Sequence, residues 1–191
     1  PIPLDYGKNV HAARYSSSVV NRVDLIQGNV LDAYPFKPDV VVAFNFSYFI
    51  FKRRRDLLNY FKSVRRGISS EGLFFIDLFG GTEAYQPLEE RTVFKNHTYF
   101  WDCERYNPIT AECFYSIHFK YKNIKYKQVF TYDWRMWTIA ELREILKEAG
   151  FTTTFAYWEG ENEDGSGDGN FKVSEEAENC ESWVTYIAAL P

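Results

Sequence analysis

The 191-residue sequence predicts an α/β fold in which a sheet of parallel strands is followed by antiparallel strands. Three observations carry this. The stretch DVVVAFNF, residues 39–46, is a continuous apolar run rich in β-branched residues, as expected of a central strand covered on both faces. Leu57, Leu58, Phe61, Val64 and Ile68 share one stripe of a helix, which leads through SSEG into a second apolar run, LFFIDLFGG. After Gly81 the texture becomes aromatic, β-branched and period-two, the pattern of antiparallel strands.

The elements follow in order. Leu4, Tyr6, Val10, Ala13 and Tyr15 recur at roughly helical intervals, so a helix begins almost at the first residue. RVDLIQGNVLD reads as a short strand through Val23 and Leu25, ending in a turn at Gly28. With residues 39–46 and LFFID this makes a parallel sheet with right-handed crossovers, whose ligands gather beyond the carboxyl ends of the strands. Residues 28–32, 45–48 and 77–81 are therefore expected along one edge. HTYFWDCERY, AECFYSIHFKYK and IKYKQVFTYDW predict three antiparallel strands. Thr138 and Glu141 form a capping box at the head of a helix that Gly150 ends, and FTTTFAYW and SWVTYIAAL predict two closing strands. Between those strands, EGENEDGSGDGN reads as a flexible acidic loop. Its spacing fails the EF-hand pattern, because Val173 stands where a glutamate should close it.

A net charge of −4 and a pI near 5.5 argue against a protein that coats nucleic acid, since such binding depends on a basic surface. The cluster Lys52 to Arg55 reads as a solvated helix start. No apolar run approaches the roughly 20 residues that cross a bilayer, and no signal-peptide succession opens the chain, so a cytoplasmic location is expected. Cys103, Cys113 and Cys180 have no CxxC spacing, so neither a disulfide framework nor a metal site is expected. The chain opens with Pro1-Ile2-Pro3, and its single methionine is Met136.

Among the polar residues, Gly28-Asn29-Val30 makes either an ordinary turn or an adenine contact, in which the Asn29 carbonyl accepts from an exocyclic amine and the next N–H donates to a ring nitrogen. Asn45-Phe46-Ser47-Tyr48 is the sharper signal. An amide at a strand's carboxyl end offers an acceptor and two donors, Phe46 or Tyr48 offers a face for stacking, and Ser47 can cap a nearby helix. Asp77 suits a ligand-edge or a helix-capping role. His118 suits either a structural role or, for a hydroxyl acceptor, that of general base. Asp133 and Arg135 interrupt the aromatic run YDWRMW, which predicts a cleft edge or an ion-paired hinge.

In LIQGNVLD, DVVVAFNFSYFIF, GLFFIDLFGG and WTIAELREILKEAGF, taken in order and spacing, the sequence resembles the class I S-adenosylmethionine-dependent methyltransferases over essentially its whole length. The resemblance implies a Rossmann-like sheet, N-terminally truncated, with an antiparallel β insert after the fifth strand and a C-terminal antiparallel strand pair. It implies one domain over residues 1–191: a partial cofactor-binding half at 1–82, the insert at 94–135, and the closing helix and strands at 138–191. The family's glycine-rich loop and the acidic residue that follows it are not found, so the chain looks cut just downstream of them. A bared edge of residues 39–46, poor folding alone and weak cofactor binding are expected in consequence.

The implied activity is transfer of a methyl group from S-adenosyl-L-methionine to a small-molecule acceptor. Gly28, Asn29 and Val30 match the adenine-holding position. Asn45 to Tyr48 fill the place of a signature in which an Asp or Asn, two prolines and an aromatic residue hold the target nitrogen and support the sulfonium. Phe46 and Ser47 replace both prolines, so an amine acceptor is only a lean. Asn45 and Tyr48 are then the catalytic candidates, and Asn45, Phe46 and Ser47 also touch the cofactor. In such enzymes the insert holds acceptor-recognition elements, which nominates Tyr132, Trp134, Arg135, Trp137 and His118, in a region that also includes Tyr99 and Trp101. A satellite core or a homodimer contact is the other reading of these rings. The alternative function is a non-catalytic binding protein that kept the fold; a nicotinamide-dependent oxidoreductase fits less well. Partners are expected to be a small molecule, with no nucleic acid and no membrane.

Overall fold

The computed structural model describes residues 2–32 and 36–191, and the chain divides into two compact units, residues 1–33 and 34–191. In the first unit, helix α1 (Ile2–Tyr6) runs on through a π turn (Gly7–His11) and a 3-10 turn (Ala12–Arg14), and α2 (Ser17–Val20) follows. The expected opening helix is present. The strand expected at Val23 and Leu25 is not: residues 23–29 form no strand pairing, and Val23, Leu25 and Ile26 stand 54%, 46% and 60% exposed. Alternating apolar residues make a strand only where a neighbouring strand takes their backbone hydrogen bonds.

The second unit holds two sheets. The first has the order β1 (Val40–Ala43), β2 (Leu73–Gly80), β9 (Trp183–Leu190), β7 (Thr153–Glu161), β8 (Gly167–Val173). β1 and β2 are parallel and the remaining pairs antiparallel. Helix α3 (Arg54–Gly67) connects β1 to β2 and buries the predicted stripe: Leu57, Phe61 and Val64 are at most 1% exposed. Its Phe61 ring meets Phe74 of β2 edge-on at 5.7 Å. Helix α4 (Ile139–Glu148) starts with the predicted capping box, the Thr138 side chain accepting from the Glu141 N–H, and it buries Leu142, Ile145 and Leu146 in the same core.

Two expectations about this sheet are corrected. β1 is not central and covered on both faces but has the bared edge also expected of residues 39–46: among the described residues it pairs only with β2, and Val40 and Val42 are 57% and 53% exposed. The acidic segment is not a loose loop. It folds back at Asn162–Ser166, where the Asn162 N–H bonds the Ser166 carbonyl, and continues as β8 against β7.

The second sheet is a meander, β3 (Leu88–Val93), β4 (Thr98–Tyr106), β5 (Glu112–Tyr121) and β6 (Ile124–Arg135). It has one strand more than predicted, because LEERTV, largely charged, supplies β3. No helix among the described residues is long and apolar enough to cross a membrane.

Candidate functional site

The site begins at the carboxyl end of β1. Asn45 and Phe46 both adopt left-handed backbone conformations, at φ 57° and 55°. That costs a phenylalanine far more than an asparagine. Asp77, 8% exposed on the neighbouring strand, holds the turn: its carboxylate accepts from the Asn45 N–H at 2.8 Å and the Phe46 N–H at 2.9 Å. Asp77 thus commits its carboxylate to the turn at the end of β1; burial pushes its pKa up, against the lowering effect of the two N–H bonds. The turn frees the Asn45 carboxamide, which is exposed and makes no hydrogen bond among the described residues, and lays the Phe46 ring 4.7 Å from Phe79.

At the end of β2 the chain passes beneath Trp183. A Cβ on Gly80 would lie 2.3 Å from that indole, and one on Gly81, whose φ is +108°, would lie 2.3 Å from the Glu181 carbonyl oxygen. The bonds Thr82 N–H to Cys180 O and Glu83 N–H to Glu181 O fix the following 3-10 turn (Thr82–Tyr85).

Between these strand ends and one face of the meander lies a cavity of about 300 Å³. Phe46 and Phe79 wall it from the first sheet, Tyr99, Trp101 and Tyr115 from the second. The period of two puts these residues on one face, because Glu90 pairs with Trp101, Thr92 with Tyr99 and Cys103 with Tyr115. Trp101 stacks on Tyr115 with centroids 4.9 Å apart, and Tyr115 donates its hydroxyl to the Ala84 carbonyl at 2.8 Å. Glu83 and Glu90 also border the space, and the pattern of the sequence did not single them out.

Of the predicted residues, Phe46 lines this cavity, with Asn45 adjoining it in the chain and Ser47, exposed, one residue beyond. Tyr48 does not line it. At 1% exposure it packs edge-on against Phe49 and donates its hydroxyl to the Asp77 carbonyl, and burial drives its pKa well above the ordinary phenol value. Tyr132, Trp134, Arg135, Trp137 and His118 line the cavity at no point. Trp134, 3% exposed, packs behind the Phe46 and Trp101 rings, and Tyr132 stacks on it at 4.4 Å. Arg135 lies 3.9 Å over the Trp137 ring, donates to the Lys52 carbonyl and pairs with Glu141, while Asp133 pairs with Lys52 at 2.6 Å. Both charges that interrupt YDWRMW are therefore ion-paired.

His118 points to the opposite face of the meander, where its Nε2 lies 3.1 Å from Asp102 and 3.8 Å from Glu89. These three could crowd a cation, but the ring is turned the wrong way. Its Nδ1 accepts from the Gln128 N–H at 2.8 Å, so the neutral ring carries its proton on Nε2, the nitrogen a metal would need bare. Gln128 reaches this position at φ 50°, beside a register shift between Ile117 and Phe119.

In the first unit, Gly28, Asn29 and Val30 lie in exposed chain. The Asn29 carboxamide oxygen accepts from the Leu31 N–H at 3.0 Å, a local turn bond that occupies one of its two lone pairs.

No family model and no curated protein sequence matches this chain. Solved structures do. The CcbJ methyltransferase from Streptomyces caelestis aligns with a TM-score of 0.70 at 13% identity, over 98% of this chain and 74% of that one. An S-adenosylmethionine-dependent methyltransferase from Clostridium acetobutylicum aligns at 0.57 and 16% identity, over 85% of this chain and 63% of that one. The glycopeptide N-methyltransferase MtfA, complexed with S-adenosyl-L-methionine, aligns at 0.54 and 20% identity, over 94% and 69%. The chain therefore spans a little under two thirds of the Clostridium protein and about three quarters of CcbJ. At these identities the likeness is one of architecture: this chain has the mixed α/β fold, with its added antiparallel sheet, of the class I S-adenosylmethionine-dependent methyltransferases.

Proposed function

We propose that this chain serves methyl transfer from S-adenosylmethionine to a small-molecule acceptor, with an amine favoured. The observation that carries the reading is the strained Asn45-Phe46 turn at the lip of an aromatic cavity, held by a buried carboxylate that has no other visible task. The donor set fits the reactive end of the cofactor. A neutral amide and an aromatic face both tolerate a positively charged sulfonium, and the Asp77 carboxylate is spent on the backbone.

When bound, S-adenosylmethionine supplies an electrophilic methyl group. The chain's own part is to position and to exclude water. Asn45 would offer its carbonyl to the acceptor nitrogen, Phe46 would present a face to the sulfonium, and the Phe79 and Trp101 rings that line the cavity would keep the acceptor dry. Ser47 stays a contact candidate beside Asn45. Asn29 and Val30 keep the adenine-holding role implied by the resemblance, with one Asn29 lone pair left for it. We hold also to a cytoplasmic location, to the absence of nucleic-acid binding, and to the meander as either a lid or a homodimer contact.

Calorimetric titration of S-adenosylmethionine into the chain and into Asn45→Gly tests this. Glycine keeps the left-handed backbone and removes only the amide, so weakened cofactor binding at unchanged stability is expected. Equal affinity for both proteins removes Asn45 from the cofactor contacts, and an equal methylation rate as well removes it from the site. Binding without methylation of any amine offered favours the non-catalytic alternative.

A further inference from the structure

We propose that the cavity selects a cation: an amine acceptor enters as its ammonium, seats against the Glu90 carboxylate with its apolar body among Phe79, Tyr99 and Trp101, and gives a proton to that carboxylate before its freed lone pair can take a methyl group. This rests on the methyl-transfer reading for its purpose, though not for its physical argument.

Glu90 stands opposite Trp101 in the β3–β4 register, so its carboxylate and the indole share one face and one cavity. Glu83 enters from the turn after Gly81. Neither carboxylate takes part in any ion pair or side-chain hydrogen bond among the described residues. Other acids around the meander do: Glu89 and Glu112 pair with lysines, as does Asp133, and Glu141 pairs with Arg135. Among the described residues, no lysine, arginine or histidine lines the cavity. Two unpaired negative charges therefore border a space walled by aromatic rings, and both the charges and the ring faces attract a cation.

The Glu90 carboxyl responds to this setting. Desolvation first, and Glu83 second, raise its pKa, a cost that an incoming cation would relieve. A neutral alcohol gains a hydrogen bond from the pair but no charge attraction, and a carboxylate is repelled by it, so the arrangement discriminates as well as attracts. At about 300 Å³ the cavity lies at the small end of ligand sites and suits one compact apolar group beside the charge.

The test is calorimetric titration of the full chain at neutral pH with four probes of one shape: benzylamine, benzyltrimethylammonium, benzyl alcohol and benzoate. Expected are binding of both cations about tenfold or more tighter than benzyl alcohol, and no benzoate binding. Glu90→Gln should erase the preference and Glu90→Asp should keep part of it, with circular dichroism confirming the fold. Should Glu90→Gln fail to fold, Glu83→Gln is expected to weaken the preference, and added salt to weaken cation binding in the unaltered chain. Benzyl alcohol binding as tightly as benzylamine overturns the inference, as does an unchanged preference in Glu90→Gln, or in Glu83→Gln together with indifference to salt. Cofactor titration separates the two claims. Amine selectivity without S-adenosylmethionine binding defeats the methyl-transfer reading alone, and cofactor binding without amine selectivity defeats this inference alone.

Discussion

Asp77 of β2 and Phe46, three residues past the end of β1, are joined by a 2.9 Å bond from the Phe46 N–H to the Asp77 carboxylate, and this bond keeps a phenylalanine in a left-handed turn. The ring that borders the cavity is therefore aimed by a residue that does not line the cavity at all.

Replacing Asp77 by alanine leaves the Asn45 and Phe46 N–H groups without their acceptor, and should cost about 2–3 kcal/mol in urea denaturation. The pH dependence has a definite sign. Burial raises the Asp77 pKa in the fold, so just above the ordinary carboxylate value the folded chain holds a proton that the unfolded chain has released. Through that interval this group's contribution falls as pH rises. Asp77→Asn should remove that component of the pH slope in unfolding measurements.

Gly81→Ala is expected to destabilise by about 2–4 kcal/mol, since it adds a Cβ at a disfavoured φ and against the Glu181 backbone. Because Trp183 covers the adjoining Gly80, the change should also alter native tryptophan fluorescence before global unfolding.

At the end of β6, Arg135→Ala should lower stability by about 1–3 kcal/mol, through lost packing on Trp137 and two lost polar contacts. Lys52→Met, which breaks the more exposed pair with Asp133, should cost less than about 1 kcal/mol. Thermal melts of the two variants side by side would reveal a reversed order.

The thiols should react in two classes. Cys103 and Cys113 are 2% and 0% exposed, and burial pushes the Cys113 pKa up to about 12, whereas Cys180 is exposed. Only the thiolate is nucleophilic. Mass spectrometry after brief alkylation of the native protein at mildly alkaline pH should find Cys180 modified first, and all three only after denaturation.

Legibility followed the range of the forces involved. α3 and α4 could be read because an apolar stripe and a capping box are local patterns, and both are present. β3 could not: LEERTV shows no apolar alternation, and its strand state depends on six residue pairs with β4. β8 was hidden in a glycine-rich acidic run, which reads as loop until β7 lies beside it. Val23 and Leu25 show the converse, a strand pattern that finds no strand to join. At the site, the Asn45-Phe46 break in an apolar run was visible at once. Trp134 and Trp137 drew attention as binding residues for their aromatic character, yet the same character buries them in the core.

By itself the sequence determined the strand-helix-strand unit, the capped α4, the aromatic insert and the polar break after β1, because each is written in neighbouring residues. Only the tertiary structure decided which rings border the cavity, that Asp77 holds the Phe46 turn, and that Glu90 shares a face with Trp101. Those are relations between residues far apart in the chain or on different strands, and strand register rather than composition sets them.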